Sequence, residues 1–243
     1  MGKPFPYIGM DGCPAGWFYV AIDDRGEYSF DILEHFAEID RLLPTAALIL
    51  VDIPIGLPSR DSPDRQCDKA ARQMIKPRGS SVFPAPARSA LSKKTYTECC
   101  DENFRVLGRK LSRQSWALAR KIAEVDAYLR ATRPGNVREM HPEVAFCGLN
   151  GGIPMAHSKK RTAGVNERLA VLCRHWAPAE DCYITASKKF RRKQVGRDDI
   201  VDAIAGAVVA RKGPGLATLL DQPTKDEEEM VMEIVYWAAP NST

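Results

Sequence analysis

A chain of 243 residues, 44% hydrophobic and 27% charged, can bury a core without disulfide staples and is too ordinary in composition for a fibrous or disordered protein. Its net charge of +4 permits a nucleic-acid partner, but only clustered basic residues would argue for one. The seven cysteines include no C-x-x-C pair, which disfavours a thiolate zinc site and points to reduced thiols. No apolar run approaches the roughly 18 residues of a membrane span. Met1 to Pro6 lacks a signal-peptide pattern, so the expectation is a cytoplasmic protein without a membrane partner.

Tyr7 to Met10 and Trp17 to Ile22 are short apolar runs separated by the turn residues PAG, and Tyr28, Phe30 and Ile32 alternate with polar neighbours. Together they predict an antiparallel meander of three strands. Phe36, Ile39, Leu42 and Leu43 recur at helical spacing and stop at Pro44. Ala46 to Ile53, AALILVDI, is apolar on both faces and suits a central strand, with Asp52 its one interruption. From Pro58 to about Leu111 the chain is rich in Pro, Arg and Ser and reads as a partly helical insertion with a long loop. Leu118, Ile122, Val125 and Leu129 predict an amphipathic helix closed by Pro134 and Gly135.

Val137 to Met140 starts a fifth strand running into HPEVAF, LNGG is a turn, and Val165, Leu169, Leu172 and Trp176 mark another helix. Lys188 to Arg197 is basic, and a helix begins near Asp198 and continues to about Arg211. Asp226 to Glu229 reads as a solvated acidic turn, and Met230 to Trp237 as a last strand or helix. This is the element order of the ribonuclease H-like fold: a single α/β domain over residues 1–243, with a mixed sheet of meander plus parallel strands, flanking helices, and an insertion at about 58–111 after the fourth strand.

Acids fall where such a fold would gather them. Asp11 ends the first apolar run, Asp52 lies near the end of the central one, Glu143 follows the fifth strand, and Asp199 and Asp202 share one face of the late helix. Asp198 is rotated about a hundred degrees from Asp199 and suits the N-cap. Each has a plainer reading. Asp11 before Gly12 starts turns, Asp198 and Asp199 both serve as caps, and Glu143 after Pro142 favours a helix dipole. Asp52 is harder to explain away, because an ionised carboxylate inside ALILVDIPIG is costly to bury without a cation or several donors. Convergent carboxylates repel one another, and hard divalent ions, magnesium or manganese, are the simplest compensation. Two such ions could serve phosphodiester hydrolysis. Ala203, Ala205, Gly206 and Ala207 are small enough to let the late helix lie close against the sheet.

The motifs MDGCPAGW, VDIPIGLP, CDKAAR, RGSSVFPAPAR, KIAEVD, REMHPEVAF, LNGG with PMAHSKK, and RDDIVDA stand in one order. Together they resemble domain of unknown function 429, a family of predicted ribonuclease H-like nucleases, over about Tyr7 to Arg211. The fold that this resemblance implies is shared with Holliday-junction resolvases, whose acid pattern (first strand, fourth strand, two acids three apart on the last helix) matches Asp11, Asp52, Asp199 and Asp202. Glu143 has no counterpart in that pattern. The resemblance thus implies a metal-dependent nuclease with Asp11, Asp52, Asp199 and Asp202 as ligands, Glu143 as a further catalytic candidate, and nucleic acid as substrate.

Two basic runs, SKKR (Ser158 to Arg161) and KKFRRK (Lys188 to Lys193), are placed to meet phosphates; a solvated charged face is the plain alternative. Lys159 and Lys160 are the first candidates for substrate binding, with Arg78 and Arg88, which flank SSVFPAP, a possible lid. Two other functions compete. DGCPAG carries Gly12 and Gly16, as a phosphate turn of the actin-like and sugar-kinase branch would, but the proline-rich DIPIGLP is a poor second phosphate loop. A non-catalytic nucleic-acid binder is the third reading, and acids that repel phosphate argue against it.

Overall fold

The computed structural model describes residues 5–238. In chain order its strands and helices are β1 (Tyr7–Cys13), β2 (Gly16–Ile22), β3 (Tyr28–Leu33), β4 (Leu48–Val51), α1 (Gln66–Met74), α2 (Tyr96–Leu107), α3 (Arg113–Thr132) and β5 (Val137–Glu139). There follow α4 (Pro142–Leu149), α5 (Thr162–His175), α6 (Ala179–Lys189), α7 (Arg197–Ala210), β6 (Leu216–Thr218), β7 (Thr224–Lys225), β8 (Val231–Met232) and β9 (Val235–Trp237). They fall into two compact units. The first takes the described residues of Met1–Asp52, Pro134–Ala217 and Val235–Thr243; the second is Ile53–Arg133 with Thr218–Ile234.

The first unit is built on a five-stranded mixed sheet in the order β3-β2-β1-β4-β5. The meander β1-β2-β3 is antiparallel, as its alternating pattern predicts, and β4 and β5 are added in parallel. A 3-10 turn, Phe36–Arg41, stands where the spacing predicts a helix through Leu43; the residue before a proline is biased out of helical geometry, so Pro44 leaves no room for a longer one. The Phe36 ring packs edge-on against Trp17 at 5.1 Å on one face of the sheet. HPEVAF does not continue β5. It is α4, with Pro142 at the first helical position, where its missing N–H loses nothing. α6 has no counterpart among the elements expected from sequence. Its buried residues are Ala179, Cys182 and Ala186, a stripe too small to register as hydrophobic periodicity.

The other face of the sheet sets the site. Successive strand residues point to opposite faces, so Gly9, Asp11 and Cys13 share one side of β1, and Leu50 of the neighbouring β4 shares its side with Asp52, one residue past that strand's end. Cys13, Phe18, Val20, Ile22 and Leu50 all join a single core with α7. α7 approaches β1 without intervening side chains. A Cβ on Gly9 would lie 2.1 Å from the Ala203 carbonyl oxygen and 2.2 Å from the Ala207 nitrogen; one on Gly206 would lie 2.8 Å from the Gly9 Cα. Backbone meets backbone here, and nothing at either glycine can yield.

In the second unit, α2 begins in a reciprocal cap: Thr95 Oγ1 accepts from the Glu98 amide and Glu98 accepts from the Thr95 amide. It ends at Gly108 with φ 70°, a left-handed position that suits glycine. Asp226, expected in a solvated turn, is buried. It accepts from the amides of Leu57, Glu228 and Met230 and pairs with Arg88. Burial alone would raise its pKa, but Arg88 and the Leu57 and Met230 amides hold it below the usual carboxylate range. All seven cysteines are free thiols, six of them buried. Among the described residues no helix is long and apolar enough to cross a membrane.

Since the Gly9 contact is backbone on backbone, Gly9→Ala must displace α7. It should lower stability in urea by at least the 1–3 kcal/mol or so typical of an overpacked core. A Gly9→Ala chain with an unchanged urea midpoint would show that α7 is not tightly seated on β1.

Candidate active site

The strand register brings the first two acids together. Met10 lies opposite Val51 in the parallel β1–β4 pair, and the Asp52 amide donates to the Met10 carbonyl at 2.9 Å, carrying the ladder one residue further. Asp11 and Asp52 therefore emerge side by side on the face that α7 covers. α7 supplies the third. Asp202 precedes Gly206 by one turn, about 6 Å along the helix, and Asp11 follows Gly9 by two strand residues, about 6.7 Å. Seating Gly206 on Gly9 thus lays Asp202 over Asp11. One carboxylate oxygen from each of Asp11, Asp52 and Asp202 lies within 4.8 Å of the others.

Asp202 is fully buried, and its two oxygens differ. Oδ2 accepts from Lys159 Nζ at 2.5 Å, whereas Oδ1 has no hydrogen-bond partner among the described residues. A buried acceptor left unsatisfied costs about 1–3 kcal/mol, more when charged. Asp199, in the first turn of α7, accepts from the Gly196 amide at 2.8 Å and so closes the helix start from within. Gly196 is the N-cap, and Asp198, expected there, lies inside the helix. The expected convergence of Asp199 with the other acids is looser than that of Asp202: it bears on them through its charge and is outside the triad.

The crowding shows in the pKa values. Burial, then Asp52, Asp202 and Asp199, push Asp11 well above the carboxylate range. Burial pushes Asp52 up to about 7 despite the pull of Lys159, with Asp202, Asp199 and Glu143 adding to the rise. Burial also pushes Asp199 up to about 6, against the Gly196 amide. Asp202 is raised by burial too, although Lys159 opposes it. For Lys159 burial disfavours the charge, but Asp202, Asp11 and Asp52 outweigh it and hold the ammonium protonated. One ammonium faces several carboxyls, so the cluster favours further positive charge.

Lys159 is held in place by α5. Glu167 accepts from the Ala156 and His157 amides at 2.7 and 2.9 Å, and Arg168 Nη1 donates to the carbonyls of His157 and Gly164 at 3.0 Å each. Gly164 lies so close that a Cβ would meet the Ser158 carbonyl oxygen at 2.0 Å. Arg168 is itself fully buried and donates through Nη2 to Glu143 Oε1 at 2.6 Å. Glu143 is therefore engaged in an ion pair behind the triad and is not a member of it. Arg168 was missed in sequence, yet a signal was there: it falls on the same helical face as Val165, Leu169 and Leu172, where a charge needs a reason.

Of the basic candidates, Lys159 reaches the acids and Lys160 is exposed beside it. Arg88 was expected to hold phosphate. Instead its Nε and Nη2 donate to Asp126 at 3.0 Å and Nη2 also to Asp226, which makes it a cross-link within the second unit. Arg78 lies after α1 in the same unit, its amide donating to the Ile75 carbonyl at 2.7 Å.

Residues 9–225 match the family described as "Protein of unknown function (DUF429)". The chain belongs to that family. The match spans β1 to β7 and so contains all three acids of the triad and Lys159. No curated protein and no solved structure matches the chain.

The raised pKa values carry a pH prediction for the metal-free protein. A carboxyl near 4 when unfolded and near 7 or 6 when folded, as for Asp52 and Asp199, stabilises the fold fully only below the unfolded value. That contribution is lost as pH rises toward 7. In chelator the melting temperature should fall between pH 5 and pH 8, and Asp52→Asn should shrink that fall. Equal pH profiles for wild type and Asp52→Asn would contradict the electrostatic description.

Proposed function

We propose that this protein is a ribonuclease H-like, divalent-metal-dependent phosphodiesterase that acts on nucleic acid. Support for the fold comes from the strand order 3-2-1-4-5, an antiparallel meander extended by two parallel strands, with an acid-bearing helix laid over β1. The observation that carries the function is the triad of Asp11, Asp52 and Asp202, in which Asp202 also keeps a buried oxygen, Oδ1, that has no hydrogen-bond partner among the described residues. A cation fits this set. The ligands are hard oxygens, the cluster is short of positive charge, and Asp202 Oδ1 is available while Oδ2 keeps Lys159. Magnesium or manganese suits such ligands better than zinc or copper.

Asp11, Asp52 and Asp202 would hold one ion, and Asp199, one turn earlier on α7, is the remaining acid for a second. When bound, such ions supply Lewis-acid stabilisation of phosphoryl oxygens and a more acidic water. The chain's own residues do the rest. Lys159 offers an ammonium to a phosphate oxygen at the edge of the acids, and Glu167 and Arg168 fasten the loop that carries it. Glu143 holds Arg168 and thereby acts as a positioning residue. The actin-like alternative is weakened by the turn itself: Gly16 pairs with Cys13 in the hairpin, a Cβ there would lie 2.1 Å from the Leu33 carbonyl oxygen, and the Ala15 amide already donates to the Gln194 carbonyl at 3.0 Å.

The test is a cleavage screen over single-stranded DNA and RNA, duplex and branched junctions in magnesium and in manganese. Cleavage should appear with at least one substrate and fall by a hundredfold or more in Asp11→Asn and in Asp202→Asn. No cleavage of any of these substrates, or cleavage that persists in both variants, would overturn the reading.

A further inference from the structure

A cleft of about 600 Å³ opens beside the acid cluster, and Lys159 belongs to both. Its walls carry Lys160 and Arg161 from the loop before α5, Arg192 from the loop after α6, and Arg197 from the first turn of α7. All four side chains are exposed. Among the described residues none of the four has a hydrogen-bonded or ion-paired side chain, and Asp198 is the one acid on the lining. Like charges brought together by separate elements repel, and a concave wall of one sign focuses the field on whatever enters. A convex solvated face would need neither the concavity nor the convergence of three elements. Tyr183 of α6 adds a half-buried ring to the same wall, and Asn166 of α5 adds an amide.

We propose that this cleft is the strand-binding subsite for single-stranded nucleic acid, guiding the phosphodiester backbone toward Asp11, Asp52 and Asp202. The proposal rests on the phosphodiesterase reading above and names its substrate class. Cations spaced along a groove with an aromatic ring among them are how sequence-tolerant single-strand binding is built: phosphates meet the cations and a base stacks on the ring. The volume lies within the range of sites that enclose a small ligand. A volume of that size matches one or two unpaired nucleotides rather than a base-paired duplex, and the test below separates the two. The N-termini of α5 and α7 both open on the cleft, and their dipoles add to its positive potential.

The experiment measures fluorescence anisotropy of a labelled ten-nucleotide single strand, its blunt duplex, and a nucleoside monophosphate competitor, all in chelator so that no turnover occurs. The single strand should bind more tightly than the duplex. In the Arg161→Gln, Arg192→Gln, Arg197→Gln triple variant the slope of log affinity against log salt should become shallower by about 2, at about 0.7 per lost contact. Tyr183→Ala should weaken binding roughly 5- to 150-fold, with Tyr183→Phe near wild type. Each variant is first checked for its melting temperature; the three arginines are exposed, so the triple variant should keep it, and for half-buried Tyr183 the Phe variant keeps the ring and separates stacking from packing. An unchanged salt slope, equal affinity for duplex, or full displacement by equimolar monophosphate would overturn the proposal. Strand binding with these properties but no cleavage in manganese would leave the cleft assignment standing and overturn the phosphodiesterase reading. Cleavage with an unchanged slope would do the reverse.

Discussion

The contact of α7 with β1 at Gly9 and Gly206 is what the acid cluster depends on. Two backbones that meet without side chains have one relative height and one rotation, and those two quantities place Asp202 over Asp11. The strand register does the same job in the other direction, since Met10 opposite Val51 sets Asp11 beside Asp52. Neither arrangement leans on long, flexible side chains. Aspartate, with a single methylene, carries the accuracy of the backbone to its oxygens, which is what a cation site requires.

Charge then has to be balanced. Burial disfavours each carboxylate, and each disfavours the next, so the bare cluster is destabilised and Lys159 offsets only part of it. The backbone of the loop that carries Lys159 is fastened by the Glu167 carboxylate and by Arg168, which is itself paired with Glu143 in the interior. Removing either partner of the buried pair would leave a charge without compensation in the interior, a change usually costing about 3–5 kcal/mol. The loop that carries Lys159 also forms a wall of the basic cleft, so the acids and the cations share one set of supports.

Much of this was legible in the residues. Asp52 within an apolar run and Asp11 at the end of another announced themselves, because a charge there has to be explained. The small residues of α7 foretold its close approach. What was not legible has physical causes. α6 buries Ala179, Cys182 and Ala186, whose small size gives no hydrophobic period. Local spacing suits Asp198 as the N-cap of α7, but Gly196 is the cap and Asp199 reaches back to its amide, a choice that spacing alone does not distinguish. Arg88 and Asp226 are 138 residues apart, so their pairing could not be read from either stretch. The family match agrees with the resemblance seen in the motifs and names no activity.

The central claim is that Asp11, Asp52 and Asp202 form a cation site. Isothermal titration of manganese into the metal-free protein at pH 7.5 tests it most directly, with Asp202→Asn as the comparison. Saturable binding at micromolar to millimolar manganese that weakens at least tenfold in Asp202→Asn is the result this account predicts. No binding at millimolar manganese, or equal binding by the two proteins, would contradict it.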